Sequence, residues 1–395
     1  MPPAIMNYVQ KEATDMLQLL EQLVNIDSGS DDKEGVNRVA QVLKQKFEAL
    51  GFHVHTVLNK NQGNHLVIQH EEALRPKILI LGHMDTVFDR GTAQTRPFTI
   101  RGQHAYGPGV VDMKGSLVLV YYAMRKLIER GDDAYKHVQI IFNSDEEIGS
   151  DSSRQLIEKH ARDKMCALVL EPARKDGSIV SARRGVGTYH IHIKGKAAHS
   201  GIEPEKGRSA IRELAHKVIA IDALSRPEEG IHVNVVETKG GIASNVISPI
   251  AKATIDVRIT HPEQAIWVEQ QLQNICKQSV IDHTTTTLTG TISRPPMPLT
   301  EKNMQLVQFI EYQAEQLNIP LTHTSTGGGS DASFPAALGI PTVDGLGPIG
   351  GGQHSKHEYM LIPSLIERTN LFIQSVSALA QQPRQMFEVK APPAS

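Results

Sequence analysis

Residues 78–87 read ILILGHMDTV, an apolar run that stops at a histidine and, two positions later, at an aspartate. Two more runs have that shape: 138–147, VQIIFNSDEE, ends in three consecutive acids, and 167–171, ALVLE, ends in one. Short apolar runs closed by polar residues read as buried strands, here Lys77–Leu81, Val138–Phe142 and Ala167–Leu170. Between the first two lies Ser116–Arg130, a segment of helical length that stops at Gly131. Strands alternating with helices predict an α/β layer with a mostly parallel sheet, and such sheets bind ligands beyond the carboxyl ends of their strands. His83, Asp85, Asp145, Glu146, Glu147 and Glu171 are therefore expected along one edge, around one crevice. A lone carboxylate after a strand is usually a solvated loop residue or a helix cap. Three such clusters on one edge change that reading.

Working outward, Tyr8–Val24 (with Leu17, Leu20 and Val24) and Glu34–Leu50 (with Val36, Val39, Leu43 and Phe47) carry helical periodicity. From about Gly185 the texture changes: period-two alternation in Thr188–Ile193, a helix at Ser209–Ile221, then strands near Ile231–Glu237 and Ala251–Ile259. Strands that outnumber helices suggest a smaller α+β domain. After Pro295 and Pro296 come a helix at Asn303–Leu317, a glycine-rich turn, a strand at Ile340–Val343 and a helix near Ser364–Ala380. The expected organisation is a catalytic domain in two parts, 1–184 and 295–395, interrupted by an inserted domain at 185–294. The tail Ala391–Ser395 is expected to fray.

A length of 395 residues favours two domains. The 41 basic and 43 acidic side chains leave a net charge of −2, which makes no electrostatic case for nucleic acid or a membrane surface. The partner is expected to be a small molecule or another subunit. Cys166 and Cys276 cannot form a disulfide framework and read as reduced thiols. Met1–Glu21 lacks the apolar stretch of a signal peptide, and no window approaches the ~18 apolar residues of a membrane span. A cytoplasmic protein is the simplest expectation.

Two further residues extend the polar set. Asp112 lies in GPGVVDMKG (107–115), just before the helix that begins near Ser116, where by itself it would read as an N-cap. His354 closes the glycine-dense GGGQH (350–354), where a single loop histidine is more often structural than a ligand. Together, His83, Asp112, Glu147, Glu171 and His354 supply nitrogen and oxygen donors suited to zinc, with cobalt or manganese as substitutes. Three carboxylates need compensation. Two divalent cations sharing one carboxylate would neutralise them and leave room for a water or hydroxide between metals roughly 3.5–4 Å apart.

The strings HMDTV (83–87), VDMKG (111–115), DEEIGS (145–150) and LEP (170–172) resemble, in order, the zinc peptidase family that contains glutamate carboxypeptidase, acetylornithine deacetylase and succinyl-diaminopimelate desuccinylase. Similar strings at AHS (198–200), GGIASNVI (240–247), DVR (256–258) and GGGSD (327–331) extend the resemblance over nearly the whole chain. It implies a zinc-exopeptidase-like α/β domain with an inserted lid and dimerisation domain. It further implies two zinc ions per subunit bridged by Asp112, with His83 and Glu171 completing one site and Glu147 and His354 the other. Metal-bound hydroxide would be the nucleophile, Glu146 the general base and Asp85 the partner of His83; a carboxylate beside the imidazole can fix its tautomer.

In that family the inserted domain reaches over the metals of the other subunit, a role that falls by motif match on His199, with Asn245 beside it. Arg294, in Ser293-Arg294-Pro295, matches the arginine that the carboxypeptidase branch uses for the substrate's terminal carboxylate, which a planar guanidinium can grip with two parallel hydrogen bonds. Arg258 and Gly328 are the remaining substrate-contact candidates. The implied activity is removal of a C-terminal amino acid from a peptide or N-acyl substrate by a homodimer. The alternative is an N-acyl-amino-acid deacylase of the acetylornithine deacetylase or desuccinylase kind. A binding protein without turnover would be expected to lack the base or a ligand, and none is missing.

Overall fold

The computed structural model describes residues 13–387, so Tyr8–Glu12 of the first predicted helix and the tail Ala391–Ser395 lie outside the described residues. The described chain forms two compact units, the first made of residues 13–182, 299–326 and 330–387, the second of 183–298 with 327–329.

In the first unit, α1 (Ala13–Val24) and α2 (Lys33–Glu48) precede β1 (Phe52–Val57), β2 (His65–His70) and β3 (Ile78–His83). Then come α3 (Gly115–Glu129), β4 (Val138–Asn143), α4 (Arg154–Ala161) and β5 (Cys166–Val169). The second unit carries β6 (Gly185–Lys194), α5 (Ala210–Asp222), β7 (His232–Gly240), β8 (Ile250–Ile259), α6 (Pro262–Lys277) and β9 (Thr285–Arg294). The chain then returns to the first unit with α7 (Glu301–Glu315), β10 (Thr342–Val343) and α8 (Ile362–Ala380).

The main sheet runs in the order β1-β2-β4-β3-β5-β10. The pairings of β3 with β4, β3 with β5, and β5 with β10 are parallel, whereas β1–β2 and β2–β4 are antiparallel. This is the expected α/β layer. Strands β3, β4 and β5 are buried along their whole length, which is why they read as continuous apolar runs instead of alternating ones. Helix α3, buried at every position from Gly115 to Met124, packs against α8 in the same core. Because β3, β4 and β5 are parallel, residues 83–85, 144–147 and 170–171 all leave the sheet at one edge.

Strands β1 and β2 were not anticipated. In β1 the outward positions hold His53 and His55, so the apolar signal is only half a strand deep. Helix α6 and strand β9 were missed as well. Helix α6 has few buried side chains, Val268, Leu272 and Cys276, and β9 is a threonine-rich strand whose faces stay largely solvated.

The second unit is a four-stranded antiparallel sheet in the order β7-β8-β6-β9, with a core of Tyr189, Ile191, Ile193, Leu214, Ile221, Val257, Val268 and Leu272. A buried pair, Lys217 Nζ to Glu213 Oε1 at 3.0 Å, ties α5 to the turn after α6, where Ile281 N–H donates to Glu213 at 2.7 Å. Satisfying both charges with backbone partners makes that burial tolerable. Both cysteines are buried free thiols. No described helix is long and apolar enough to cross a membrane.

Candidate metal centre

The site is assembled from three strand ends and two turns of the first unit. Strand β3 ends on His83, and the short turn Glu146–Ile148 follows β4. Glu171 follows β5, and Asp112 sits in the tight turn Val110–Lys114 ahead of α3, entered through Gly109 at φ +70°. A side chain at Gly109 is excluded twice: by that φ, and because a Cβ would lie 2.5 Å from Thr86 Cγ2. The peptide bond between Asp112 and Met113 is cis. Asp112 does not cap α3, whose N-cap position is Lys114.

Asp112 instead faces two imidazoles. Its Oδ1 lies 3.3 Å from His83 Nε2, and its Oδ2 lies 3.4 Å from His354 Nε2. Glu171 Oε1 stands 3.7 Å from His83 Nε2, and Glu147 Oε2 stands 3.2 Å from His354 Nε2. Two donors each about 2.0–2.2 Å from a tetrahedral zinc are separated by about 3.3–3.6 Å, so these gaps suit a cation shared between donors. His83 Nε2 is buried without a hydrogen-bond partner, which in a protein interior signals a ligand atom that a cation would satisfy. The donor atoms of His83, Asp112 and Glu147, and those of His83, Glu146 and Glu171, lie within 4.8 Å of one another. The residues present therefore fit a two-cation centre.

The electrostatics point the same way. Burial, with Asp112 nearby, pushes the Glu171 carboxyl well above the usual carboxylate range, and burial also raises Glu147. Burial opposes ionisation of Asp112, but the adjacent imidazoles of His354 and His83 outweigh it and hold that carboxyl low. Asp112 and Glu147 raise His354 to about 10. A cluster that gathers protons this strongly is one that stabilises added positive charge.

The turns that carry Asp112, Glu146 and Glu147 are braced from behind. Asp85 Oδ2 accepts from Ser30 Oγ at 2.7 Å and from Glu147 N–H at 3.2 Å, while its Oδ1 accepts from Glu146 N–H at 3.2 Å. Asp145, the first acid of the 145–147 cluster, is structural: it accepts from Ser152 N–H at 2.8 Å and Ser153 Oγ at 2.6 Å. Asp331 binds Ser150 Oγ at 2.5 Å and Asn143 Nδ2 at 2.7 Å. Lys114, fully buried, donates to Ile26 O at 2.8 Å, and burial pushes its amine down to about 7. Glu358 was not anticipated. It is buried and accepts from the N–H groups of Gly109, Val111 and Asp112, and burial and the nearby Asp112 raise it to about 7. Its only sequence signal is an acid four residues beyond His354.

The other candidates belong to the second unit. His199 and Asn245 are exposed on adjacent loops joined by a bridge between His199 and Val246 and by Ser200 N–H donating to Asn245 O at 2.9 Å. Gly201 N–H donates to His199 Nδ1 at 3.2 Å. Arg258 holds Asp256 with both arms of its fork, each at 3.0 Å. Arg294, 6% exposed at the end of β9, lies against Gly329, where a Cβ would stand 2.8 Å from Arg294 Cδ. The Gly328 carbonyl accepts from Arg183 Nη1 at 3.0 Å.

Residues 79–378, well over half of the chain, match peptidase family M20/M25/M40. The chain is 30% identical over 371 residues to carboxypeptidase G2 of Pseudomonas sp. (strain RS-16), covering 92% of this chain and 89% of that one. Among solved structures, a tripeptidase from Staphylococcus aureus subsp. aureus mu50 superposes with a TM-score of 0.79 at 23% identity, covering 94% of this chain and 99% of that one. The Bacillus subtilis YXEP protein, described as a dinuclear metal binding peptidase from the M20 family, does so with a TM-score of 0.69 at 15% identity, over 94% and 99%. At these identities the structural likeness speaks for the fold, while the family match carries the chemistry: the chain belongs to peptidase family M20/M25/M40 and is a metallopeptidase.

Proposed function

We propose that this protein is a di-zinc carboxypeptidase that cleaves the amide bond to a C-terminal amino acid, with glutamate the first to test. The observation that carries the reading is the two-sided placement of Asp112, 3.3 Å from one imidazole nitrogen and 3.4 Å from the other. His83, Asp112 and Glu171 would hold one zinc, and Asp112, Glu147 and His354 the other, with cobalt or manganese as substitutes. When bound, such ions polarise the scissile carbonyl and acidify the attacking water. Glu146 takes the proton from that water on its carboxylate and passes it to the leaving amine nitrogen. Through its backbone carbonyl, Asp85 holds His83 in the tautomer that leaves Nε2 as an acceptor. His199 and Asn245, supplied by the partner subunit of a homodimer built through the second unit, donate to the developing oxyanion. Arg294 grips the substrate carboxylate, and its near-complete burial supports a placed guanidinium over a solvated one. The free thiols of Cys166 and Cys276 support a cytoplasmic location.

A hydrolysis panel in added zinc tests the reading: dipeptides against N-acetyl, N-succinyl and N-aroyl amino acids. Release of the C-terminal residue from peptides is the expected result. Turnover confined to N-acyl amino acids would move the assignment to the deacylase alternative, and no turnover on any member would overturn it.

A further inference from the structure

We infer that Glu358 is a positioning residue that sets the aim of Asp112 and, through it, the affinity of both metal sites; the inference rests on the di-zinc reading above. Glu358 is 1% exposed and has no ion-pair partner among the described residues. A lone buried carboxylate is costly unless its lone pairs are filled. Here they are filled by one turn only: Oε2 accepts from Gly109 N–H at 3.0 Å, and Oε1 accepts from Val111 N–H at 3.0 Å and Asp112 N–H at 3.1 Å.

Those N–H groups belong to a turn with Gly109 at φ +70° and non-helical angles at Asp112 and Met113, so no regular ladder is available to hold them. Three donors converging on one point make an anion cradle. Only a carboxylate offers an acceptor to both sides of it, because an amide would turn an N–H₂ toward one of the backbone donors. The last donor in the cradle is the N–H of Asp112 itself. Its backbone is thereby tied at the residue whose two oxygens face His83 and His354, and a bridging ligand tolerates displacements of only about 0.5 Å before it fails both partners. Glu358 touches no substrate and acts through Asp112 alone.

The signature is joint loss. A ligand variant such as His354→Ala removes one site, whereas a misaimed bridge weakens both. The test is zinc titration of the full-length chain against a chelator, with Co(II) absorption spectra recorded in parallel, for wild type, Glu358→Gln and Glu358→Asp. Glu358→Gln is expected to raise both zinc dissociation constants about 10- to 100-fold and to change the Co(II) spectrum, with Glu358→Asp restoring part of the affinity because it keeps both oxygens. A purely structural Glu358 would lower the melting temperature of the metal-free protein and leave both constants unchanged. Folded Glu358→Gln with both constants within twofold of wild type overturns the inference, and so does weakening confined to one site. If Glu358→Gln does not fold, Glu358→Asp decides by the same criteria. Wild type that binds no zinc would instead overturn the di-zinc reading.

Discussion

His83 Nδ1 lies 3.0 Å from the backbone carbonyl oxygen of Asp85 and 3.5 Å from the carboxylate of the same residue. The imidazole N–H is therefore given to the carbonyl, and the carboxylate is free to organise the turn that carries Glu146 and Glu147. Asp85→Asn leaves the carbonyl tether in place but weakens an acceptor of three donors. The expected outcome is zinc content near that of wild type with kcat down by about 10- to 100-fold. Metal analysis beside steady-state kinetics checks it; loss of zinc with normal turnover at saturating metal would return the carboxylate to His83.

In the proposed mechanism Glu146 is the member of the acidic pair that moves the proton without bonding a metal. Glu146→Gln should retain about two zinc ions per chain while kcat falls by about 10² or more. His83→Ala and His354→Ala should behave oppositely, each losing metal from a different site. Normal turnover in Glu146→Gln removes it from the chemistry.

Arg294 and Gly329 form a linked pair within the second unit. Arg294→Ala should raise KM for substrates with a free terminal carboxylate and change little for their amidated analogues. Gly329→Ala should reproduce part of that effect with the arginine intact, because the new methyl would meet Arg294 Cδ at 2.8 Å and Val186 Cγ2 at 3.0 Å. If both variants keep the wild-type preference for the free acid, the carboxylate is held elsewhere, and Arg258, already engaged with Asp256, becomes the residue to test.

The role proposed for His199 would connect assembly to catalysis. If it serves the partner's centre, mixing His199→Ala with Glu146→Gln and allowing subunits to exchange yields heterodimers in which one site has both groups and the other neither. With equal amounts and independent sites, activity returns to roughly a quarter of wild type. Mixtures that exchange subunits yet stay inactive would show that His199 acts on its own chain or not at all.

The chain's local patterns were enough to place most of the α/β layer. The apolar runs at 78–81, 138–142 and 167–170 became β3, β4 and β5 because a strand buried on both faces needs only apolar residues in succession, a property written in neighbours. Strands β1 and β9 and helix α6 were not legible, since polar outward positions dilute the apolar repeat and their place depends on distant partners. The donor types and their order were also readable, from strings only a few residues long.

What the sequence by itself determined, then, was which chemistry the chain can hold: two imidazoles, a set of carboxylates and the strand ends that present them. Only the tertiary structure decided how they act. It turned Asp112 from a candidate helix cap into a residue facing both histidines, set the Asp85 carbonyl nearer than its carboxylate to His83 Nδ1, and placed Glu358 beneath the turn that carries Asp112. The physical reason is range: strand and helix patterns arise from residues a few positions apart, while hydrogen-bond direction depends on backbone angles and on groups such as Gly109 and Glu358, separated by 249 positions and joined at 3.0 Å.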